Sequence, residues 1–376
     1  MIRVLEMFGE PITYGGQESV VYNMLTTFDF ANEFTVDLFT PYYADNQKLI
    51  NLVNGNNGNV YKLDLQFKIG DNRFLLTSRI RGFFDKHCNY DVVHIHTGSL
   101  ATMFIYAKEA KRHGIRRVIV HAHTTNQNPS LLYNIRKAIL CYGLNKYVDK
   151  YVGCSKKSIE TKYTKSISSN AVIVYNGIDI QSYKFNVLYR NEIRNIYNIR
   201  ESQYVIGSLG RLSKEKNPYF MLNLIDRLKK MDNDIVLMIV GSGELEKDLK
   251  DYVKTHSIEN KVLFTGNQTE AYKFYNAFDL FILPSFYEGF PVTAVEAQVS
   301  GLNTLISENV TNESKVSNSA YFLSVNDINA WVDKILELKT NHDKTNINNR
   351  INVKLDVSKC DRNVTFKEIR ELYKYE

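Results

Sequence analysis

The sequence lacks long apolar runs and has few cysteines, and each absence excludes a class of protein. No apolar run approaches the 18 residues that indicate a membrane-spanning helix. The four cysteines are scattered without a C-x-x-C spacing, which indicates reduced, mostly buried thiols of a cytosolic protein. The first residues, from Met1 to Glu6, read directly as the start of a strand, so we expect no secretory signal.

The chain also lacks the concentrated charge of a nucleic-acid-binding protein, because its net charge is only +6. Residues 130–170, however, contain eight Lys or Arg residues and two acidic residues. The net charge of this segment, 8 − 2 = +6, equals the net charge of the whole chain. A basic cluster can bind an anionic membrane face at about 1 kcal/mol per residue. A basic helix predicted at residues 72–86 is a second candidate for such contact. The alternatives are a solvated surface beside an anion-binding cleft and an amphipathic helix packed on the core.

Two series of alternating strands and helices indicate the fold class. The chain is 376 residues long, enough for two domains of ordinary size. Strands that alternate with helices predict doubly wound α/β domains with parallel sheets covered on both faces. We expect a first domain over residues 1–190, a second over residues 200–358, and a last helix within residues 362–376 that packs back onto the first domain.

Short apolar runs bounded by turn residues give the predicted strands. They are Ile2–Met7, Phe34–Thr40, Val60–Leu63, Asp91–His96, Arg116–His121, Lys150–Cys154 and Ala171–Tyr175, followed by Val205–Leu209, Ile235–Val240, Lys261–Thr265, Leu280–Leu283 and Thr304–Ile306. The main predicted helices are Gln17–Phe28, Asn72–Lys86, Leu100–Arg112, Pro218–Met231, Leu245–His256 and Val364–Tyr375, with Asn217 as the N-cap of the fourth.

Two carboxylates flank a helix start late in the chain. A helix is expected to begin at Pro291, because proline suits the first helical position, and to end near Gly301. Glu288 lies in the preceding loop, and Glu296 falls at the edge of the helix's apolar stripe, where it needs a hydrogen-bonding partner. A helix start binds anions through its free N–H groups, and carboxylates accept hydrogen bonds from hydroxyls. The alternative is a capped helix with two solvated acids.

Two further features precede the second domain. Gly15 and Gly16 lie between a strand and a helix, as in mononucleotide-binding turns, although a plain loop explains them equally well. Histidines occur in two H-x-H pairs at or just past strand ends, where parallel sheets bind ligands. The alternatives are packed core histidines, or a zinc site, which is disfavoured because we expect no carboxylate or thiol to adjoin them. These histidines are His94, His96, His121 and His123.

Four sequence motifs, which follow one another in the same order, resemble those of a known family. Arg211 and Lys216 follow a strand within Gly207–Asn217, and Glu288 and Glu296 are spaced E-x7-E. With Val240–Glu244 and Val174–Asp179, they resemble the retaining, GT-B-fold glycosyltransferases of family 4, which build bacterial capsular, exopolysaccharide and lipopolysaccharide chains. The resemblance covers nearly the whole chain. It implies a GT-B architecture, in which two Rossmann-like domains face a central cleft and close over the donor.

The resemblance implies roles for the second domain. Arg211 and Lys216 would hold the donor's diphosphate and stabilise the leaving charge, so that neither a metal nor another cofactor is expected. Glu296 would accept from both ribose hydroxyls. Glu288 would contact the hydroxyls of the donor sugar, and Asn267, in the loop Thr265–Gln268, would contact the base. The N–H groups of Gly289, Phe290 and Val292 would assist Glu288, although Pro291-Val292 stands where the family often has glycine.

The resemblance also gives roles in the first domain. Gly15 and Gly16 would border the diphosphate. His123, which a threonine follows, matches the family's first-domain histidine better than His121 does, so His123 would hydrogen-bond the sugar with His121 behind it. Both side chains should face the same way because they are two residues apart in an extended segment.

Together these features predict a cytoplasmic glycosyltransferase, with possible peripheral contact with the inner face of the membrane. Its donor would be a nucleoside-diphosphate sugar, foremost a UDP-sugar, and its acceptor a hydroxyl on a lipid-linked, cell-surface glycan. No nucleic acid is expected as a partner. Two alternatives stay open, a non-hydrolysing UDP-sugar epimerase on the same scaffold and a non-catalytic, glycosyltransferase-like partner subunit.

Overall fold

The chain forms two compact units in this computed structural model, which describes residues 1–27, 30–68, 70–125, 130–342, 348–351 and 353–374. One unit comprises Met1–Ile178 and Lys359–Glu376, and the other comprises Asp179–Ser358. Residues 179–190, which the sequence analysis placed in the first domain, belong to the second unit here. The reason is visible at Arg190, whose guanidinium lies 2.8 Å from the buried carboxylate of Asp279.

The first unit is built on a seven-stranded sheet whose strands pair in parallel in the order β3-β2-β1-β4-β5-β6-β7. Apolar side chains cover both faces, which is why these strands read as continuous apolar runs. The strands are β1 (Ile2–Phe8), β2 (Phe34–Thr40), β3 (Val60–Lys62), β4 (Val92–His96), β5 (Arg117–Ala122), β6 (Lys150–Gly153) and β7 (Val172–Ile173).

Helices of the first unit follow the predicted alternation with some differences. The helix Leu100–Arg112 is confirmed residue for residue. The basic segment 72–86 is divided into a 3₁₀ turn, Arg73–Leu76, and a shorter helix. The helices are α1 (Gly16–Leu25), α2 (Phe30–Glu33), α3 (Gln47–Gly55), α4 (Thr77–Phe84), α5 (Leu100–Arg112), α6 (Leu131–Leu144), α7 (Lys156–Lys162) and α8 (Lys165–Ser168), of which α2, α3, α6, α7 and α8 were not predicted.

The second unit has a six-stranded parallel sheet in the order β10-β9-β8-β11-β12-β13. Its strands are β8 (Tyr204–Leu209), β9 (Ile235–Val240), β10 (Val262–Phe264), β11 (Leu280–Leu283), β12 (Asn303–Ser307) and β13 (Ala320–Leu323), the last of which was not predicted. Its helices are α9 (Val187–Ile196), α10 (Pro218–Leu228), α11 (Glu246–Thr255), α12 (Phe274–Ala277), α13 (Val292–Val299), α14 (Ile328–His342) and α15 (Asn348–Ile351). Short 3₁₀ turns are Lys214–Lys216, Glu259–Lys261, Ala271–Lys273 and Asn312–Ser314.

The final helix, α16 (Arg362–Tyr373), packs against α1 in the first unit. The hydroxyl of Thr365 donates to the carbonyl of Tyr175 at 2.9 Å, and the hydroxyl of Tyr373 reaches the carboxylate of Glu6 at 2.5 Å. The sequence analysis predicted this helix over Val364–Tyr375, and residues 375–376 lie outside the described residues. Within the described ranges, none of the helices combines the length and the apolarity needed to cross a bilayer.

Candidate active site

The turn after β8 positions Arg211. A Cβ built on Gly241 would lie 2.1 Å from the carbonyl oxygen of Gly210, so the turns after β8 and β9 touch through a glycine. Gly210 has φ +150°, a value that glycine adopts without strain. The Arg211 side chain is 70% exposed, and its Nε lies 3.5 Å from Oε2 of Glu244. The guanidinium is therefore accessible at the carboxyl end of β8, as the sequence predicted.

Lys216 and Glu288 form the central ion pair of this edge. The Nζ of Lys216 lies 2.6 Å from Oε1 of Glu288, and the two side chains are 23% and 13% exposed. The hydroxyl of Ser285 donates to the same carboxylate oxygen at 2.7 Å. The N–H of Phe286 donates to the carbonyl of Glu215 at 2.8 Å, which ties the two loops together. The pair is thus held in place but still accessible to a ligand.

Asn217 occupies the predicted N-cap of α10, with Pro218 as the first helical residue. Its backbone is left-handed, with φ 55°, and its side chain makes no capping hydrogen bond. Instead, Nδ2 of Asn217 donates to the carbonyl of Pro284 at 3.2 Å. The side chain therefore joins the loops that carry Lys216 and Glu288.

The helix after Glu288 starts one residue later than predicted. It begins at Val292, because Pro291 has a non-helical ψ of 85° and serves as the N-cap. The N–H of Val292 donates to the carbonyl of Phe290 at 3.0 Å, so its expected role toward the sugar stays a prediction that requires this bond to open. The hydroxyl of Thr293 is buried and has no partner among the described residues. The sequence analysis missed this hydroxyl, which lies in the first turn of α13.

Glu296 is buried on α13, and its carboxylate has tyrosine partners. The hydroxyl of Tyr275 donates to Oε2 of Glu296 at 2.6 Å. Burial raises the pKa of Glu296, whereas the hydrogen bonds from Tyr275 and Tyr183 oppose that rise. The expectation that this carboxylate needs a partner is confirmed. Neither tyrosine was predicted to contact this carboxylate.

Other predicted contacts of the second unit lie on the same edge of the sheet. Gly289 and Phe290 are buried in the loop between Glu288 and α13. Asn267 is exposed in the loop after β10. The N–H of Gly241 donates to the carbonyl of Gly266 at 2.8 Å, which fixes that loop beside the turn after β9.

A carboxylate occupies the glycine turn of the first unit. The helix α1 begins at Gly16 with Gly15 as its N-cap. Oε1 of Glu18 accepts from the N–H of Thr13 at 3.0 Å, and a Cβ on Gly15 would lie 2.6 Å from Oε2 of the same residue. A negative charge therefore fills the helix start where the resemblance implies a diphosphate. The role of Gly15 and Gly16 stays a prediction that requires Glu18 to turn away.

His123 ends a buried chain of hydrogen bonds that starts at Glu6. Oε2 of Glu6 lies 2.6 Å from Nε2 of His96, and Nδ1 of His96 lies 2.8 Å from Nε2 of His123. Burial lowers the pKa of His96 to about 4 and that of His123 well below its usual range, so both rings are neutral at pH 7. Burial raises the pKa of Glu6, but the contacts with His94 and His96 outweigh burial, so the net pKa is lowered and the carboxyl is ionised.

This order of donors assigns the tautomer of His123. An ionised carboxylate only accepts, so His96 donates through Nε2 and accepts through Nδ1. His123 must then donate through Nε2, which leaves Nδ1 as an acceptor. Nδ1 of His123 is buried and has no partner among the described residues. His123 therefore presents a lone pair that can accept from a hydroxyl, as its predicted role requires.

A second branch joins the remaining histidines to Glu6. The hydroxyl of Tyr373 lies 2.8 Å from Nδ1 of His94, and Nε2 of His94 lies 3.3 Å from Nδ1 of His121. The rings of His121 and His123 stack with centroids 4.1 Å apart, which confirms that they face the same way. His121 is fully buried behind His123.

The expectation that no carboxylate adjoins the H-x-H pairs is wrong. Parallel register places Glu6 beside His94, and Glu6 contacts both His94 and His96. Ring nitrogens of His94, His96 and His121 lie within 4.8 Å of one another, so the donor types for zinc are present. Most of these ring nitrogens nevertheless already have a hydrogen-bond partner, which is Glu6, Tyr373 or a neighbouring histidine ring, and so need no metal ion.

Two family models match the chain along most of its length. The model described as "Glycosyltransferase Family 4" matches residues 14–182, and the one described as "Glycosyl transferases group 1" matches residues 189–352. The putative glycosyltransferase EpsF of Bacillus subtilis is 26% identical over 244 residues, 64% of this chain and 63% of the relative. The match thus spans slightly less than two thirds of that relative's length.

A second relative and a solved structure extend the likeness. The UDP-Gal:alpha-D-GlcNAc-diphosphoundecaprenol alpha-1,3-galactosyltransferase of Escherichia coli is 24% identical over 289 residues, 72% of this chain and 74% of the relative. The crystal structure of Anabaena HepE in complex with UDP and glucose superposes with a TM-score of 0.78 at 17% identity, covering 99% of each chain. That similarity concerns the fold, which is of the GT-B type. The chain therefore belongs to the group 1, family 4 glycosyltransferases, a retaining and metal-independent family.

Proposed function

We propose that this enzyme transfers a sugar from a UDP-sugar, with retention, to a hydroxyl of a lipid-linked glycan. The observation that carries the proposal is the Lys216–Glu288 pair beside the accessible Arg211 at the carboxyl edge of the second sheet. Two fixed cations and a carboxylate suit a ligand that has both a diphosphate and sugar hydroxyls.

The reaction needs stabilisation of the departing diphosphate. As the bond between the anomeric carbon and the diphosphate oxygen breaks, negative charge grows on the leaving group. Lys216 and Arg211 neutralise that charge, and prepositioned groups of this kind contribute several kcal/mol to stabilising a transition state. The hydroxyl of Thr293 and the start of α13 supply further hydrogen-bond donors to the diphosphate.

Carboxylates and neutral rings orient the sugars. Glu288, held by Ser285, accepts from hydroxyls of the donor sugar. Glu296, held by Tyr275, accepts from the ribose hydroxyls. His123 contributes the lone pair of Nδ1 to a further sugar hydroxyl. Backbone groups near Asn267 contact the base.

Relatives support the choice of donor and acceptor. The name of the Escherichia coli relative specifies a UDP-galactose donor and a diphosphoundecaprenol-linked acceptor. HepE was crystallised with UDP and glucose. We extend both features to this chain, and we propose that it works in the cytoplasm at the inner face of the membrane.

The test begins with nucleotide binding. We expect UDP to raise the unfolding temperature more than GDP or ADP does, since a ligand at 100 times its Kd stabilises the fold by about 2.7 kcal/mol. NMR of a reaction with a UDP-sugar and a diphosphoundecaprenol-linked sugar should then show a product with the donor's anomeric configuration. Stabilisation by GDP or ADP alone contradicts the UDP assignment, and conversion of the UDP-sugar without an acceptor indicates an epimerase.

A further inference from the structure

Glu10 lies where three neighbouring strands of the first sheet end. It follows β1 by two residues, Thr97 follows β4 directly, and Thr124 lies two residues after β5. A Cβ built on Gly98 would lie 3.4 Å from Oγ1 of Thr124 and 3.8 Å from Oε1 of Glu10, so both oxygens flank the same point of the edge. Because Thr124 directly follows His123, Glu10 belongs to the same edge as the ring that is proposed to bind a sugar hydroxyl.

One oxygen of the Glu10 carboxylate is fixed by its neighbours. The hydroxyl of Thr97 donates to Oε1 at 2.9 Å, and the N–H of Gly98 donates to the same oxygen at 3.3 Å. A Cβ built on Gly9 would lie 2.2 Å from Oγ1 of Thr97, so this glycine lets the end of β1 approach that hydroxyl. Nζ of Lys162 donates to the carbonyl of Gly98 at 2.5 Å and fixes the same turn. Oε1 is therefore held in one position.

The other oxygen of this carboxylate is available to a ligand. Oε2 of Glu10 is buried and has no partner among the described residues. A buried carboxylate oxygen without a hydrogen bond destabilises a fold, because the loss of its hydration is not compensated. Glu10 as a whole is only partly buried, so its carboxylate lies close beneath the surface, and a ligand can supply the missing donor after a small adjustment of the side chain. None of the contacts proposed for the donor uses this carboxylate.

The charges around Glu10 favour a neutral ligand group. Burial raises the pKa of Glu10, and the hydrogen bonds of Thr97 and Gly98 and the positive charges of Arg73 and Lys162 oppose that rise. These two cations disfavour a further positive charge, such as an amine, at Oε2. A hydroxyl or an acetamido N–H of a sugar is a neutral hydrogen-bond donor and suits the carboxylate.

We propose that Glu10 binds the acceptor sugar through Oε2, which accepts a hydrogen bond from a hydroxyl or from the acetamido N–H of that sugar. The inference rests on the proposed function, since it requires a sugar acceptor at the carboxyl edge of the first sheet. Glu10 then selects acceptors that carry this donor group, and it makes no contact with the UDP-sugar.

Glu10→Gln tests the proposal with little change in shape. Its amide oxygen can replace Oε1 and keep the bonds from Thr97 and Gly98, whereas its NH₂ group places a donor where the donor of the acceptor sugar binds. Loss of a hydrogen bond to a charged group should raise the KM of the acceptor about 10- to 100-fold, while kcat changes less than about threefold. Initial rates at saturating UDP-sugar, with the diphosphoundecaprenol-linked sugar that the wild type glycosylates, measure both constants.

Glu109→Gln is the matched control. Glu109 is a fully buried carboxylate of the same unit, and Arg81 and Arg112 already bond its two oxygens at 3.2 Å. The control should keep the acceptor KM of the wild type. Circular dichroism must show that both variants are folded, and both should bind UDP with the affinity of the wild type. If Glu10→Gln does not fold, Glu10→Asp, which keeps the charge but withdraws Oε2, should show the same selective rise in the acceptor KM.

Modified acceptors distinguish a direct contact from a structural role and identify the bonded group. Each modified acceptor lacks one hydroxyl or the acetamido group of its sugar. One of these deletions should weaken the wild type by about the same factor as Glu10→Gln and cause little further loss in the variant, because both changes remove the same hydrogen bond. Additive losses with every modified acceptor would mean that Glu10 acts only through the structure, and they overturn the proposal.

The remaining outcomes separate this inference from the proposed function. An acceptor KM that Glu10→Gln leaves unchanged contradicts the inference alone. A raised KM for the UDP-sugar in that variant assigns Glu10 to the donor and also overturns the inference. Absence of transfer by the wild type to any diphosphoundecaprenol-linked sugar contradicts the proposed function itself, and the inference with it.

Discussion

The carboxyl edges of the two sheets place charge in different ways. In the first unit, Glu6 and its histidines are buried and bond one another. In the second, Lys216 and Glu288 are partly exposed, and Arg211 is mostly exposed. A buried network fixes the orientation and tautomer of its members, whereas an accessible ion pair can exchange its partner for a ligand. We therefore expect changes in the second edge to affect the reaction, and changes in the first to affect folding as well.

The largest expected effect comes from Lys216→Ala. Loss of the ammonium removes stabilisation of the leaving diphosphate, so kcat/KM should fall about 10²- to 10³-fold, by analogy with loss of one oxyanion donor. Steady-state kinetics with the UDP-sugar checks this. Lys214→Ala, in the same 3₁₀ turn but exposed to solvent, is the matched control and should keep near-normal activity. Equal activity of the two variants would remove Lys216 from the diphosphate site.

The second-largest expected effect is a loss of folding stability of the first unit in acid. Unfolded His96 takes up a proton near pH 6.5, whereas the folded ring resists protonation until about pH 4. The unfolded state therefore binds more protons between these values, and stability falls as the pH drops, by about 3 kcal/mol for this group alone. Urea unfolding at steps from pH 7.5 to 4.5 measures the slope.

A variant pair assigns that slope. His96→Gln should flatten it, while His256→Gln, which changes an exposed histidine, should leave it as in the wild type. A slope that His96→Gln does not alter would mean that other groups cause the acid sensitivity.

Tyr275→Phe should have a smaller effect that is specific to the donor. Loss of the hydroxyl removes a bond that lowers the pKa of Glu296, so the pKa of this buried carboxyl rises further and it accepts less well from ribose. We expect the Kd of UDP to rise about 5- to 10-fold, equivalent to about 1 kcal/mol. Calorimetry measures it. Tyr272→Phe is the control, because that hydroxyl bonds the exposed Glu270, and unchanged UDP affinity in Tyr275→Phe would contradict the assigned role of Glu296.

The smallest expected effect is that of a chelator. The proposed function assigns the positive charge beside the diphosphate to Arg211 and Lys216, so EDTA should leave the transfer rate unchanged. Assays with and without EDTA, followed by added Mg²⁺ or Zn²⁺, check this. Inactivation by EDTA that zinc reverses would instead point to the histidine cluster of the first unit.

The sequence predicted the candidate site best where its residues directly follow the ends of strands. Parallel strands end at the same edge, so Lys216 and Glu288 could be placed together without coordinates. The helix start at Pro291 was off by one residue, because proline fits both the N-cap and the first helical position. The cap at Asn217 was predicted in position, but the bond from its side chain to Pro284 depends on how two distant loops meet.

The histidine network was harder to predict. Glu6 lies within an apolar strand, and a lone charge in a buried strand is a signal that a partner is needed. Identifying that partner requires the register between β1 and β4, which the apolar pattern of these strands leaves undetermined. Tyr373 comes from the far end of the chain, and no local pattern links it to His94. Helix α6 was not predicted because apolar side chains lie on two of its sides, so its sequence lacks the single apolar stripe of an amphipathic helix.

Helix α16 has a consequence for synthesis of the protein. The first unit includes the C-terminal helix Arg362–Tyr373. The ribosome makes this helix only after it has made the whole second unit, Asp179–Ser358. Until then, the buried carboxylate of Glu6 lacks its tyrosine, and the apolar surface that Ile369 and Leu372 cover is open to water. The nascent first unit is thus a natural client for a chaperone during translation.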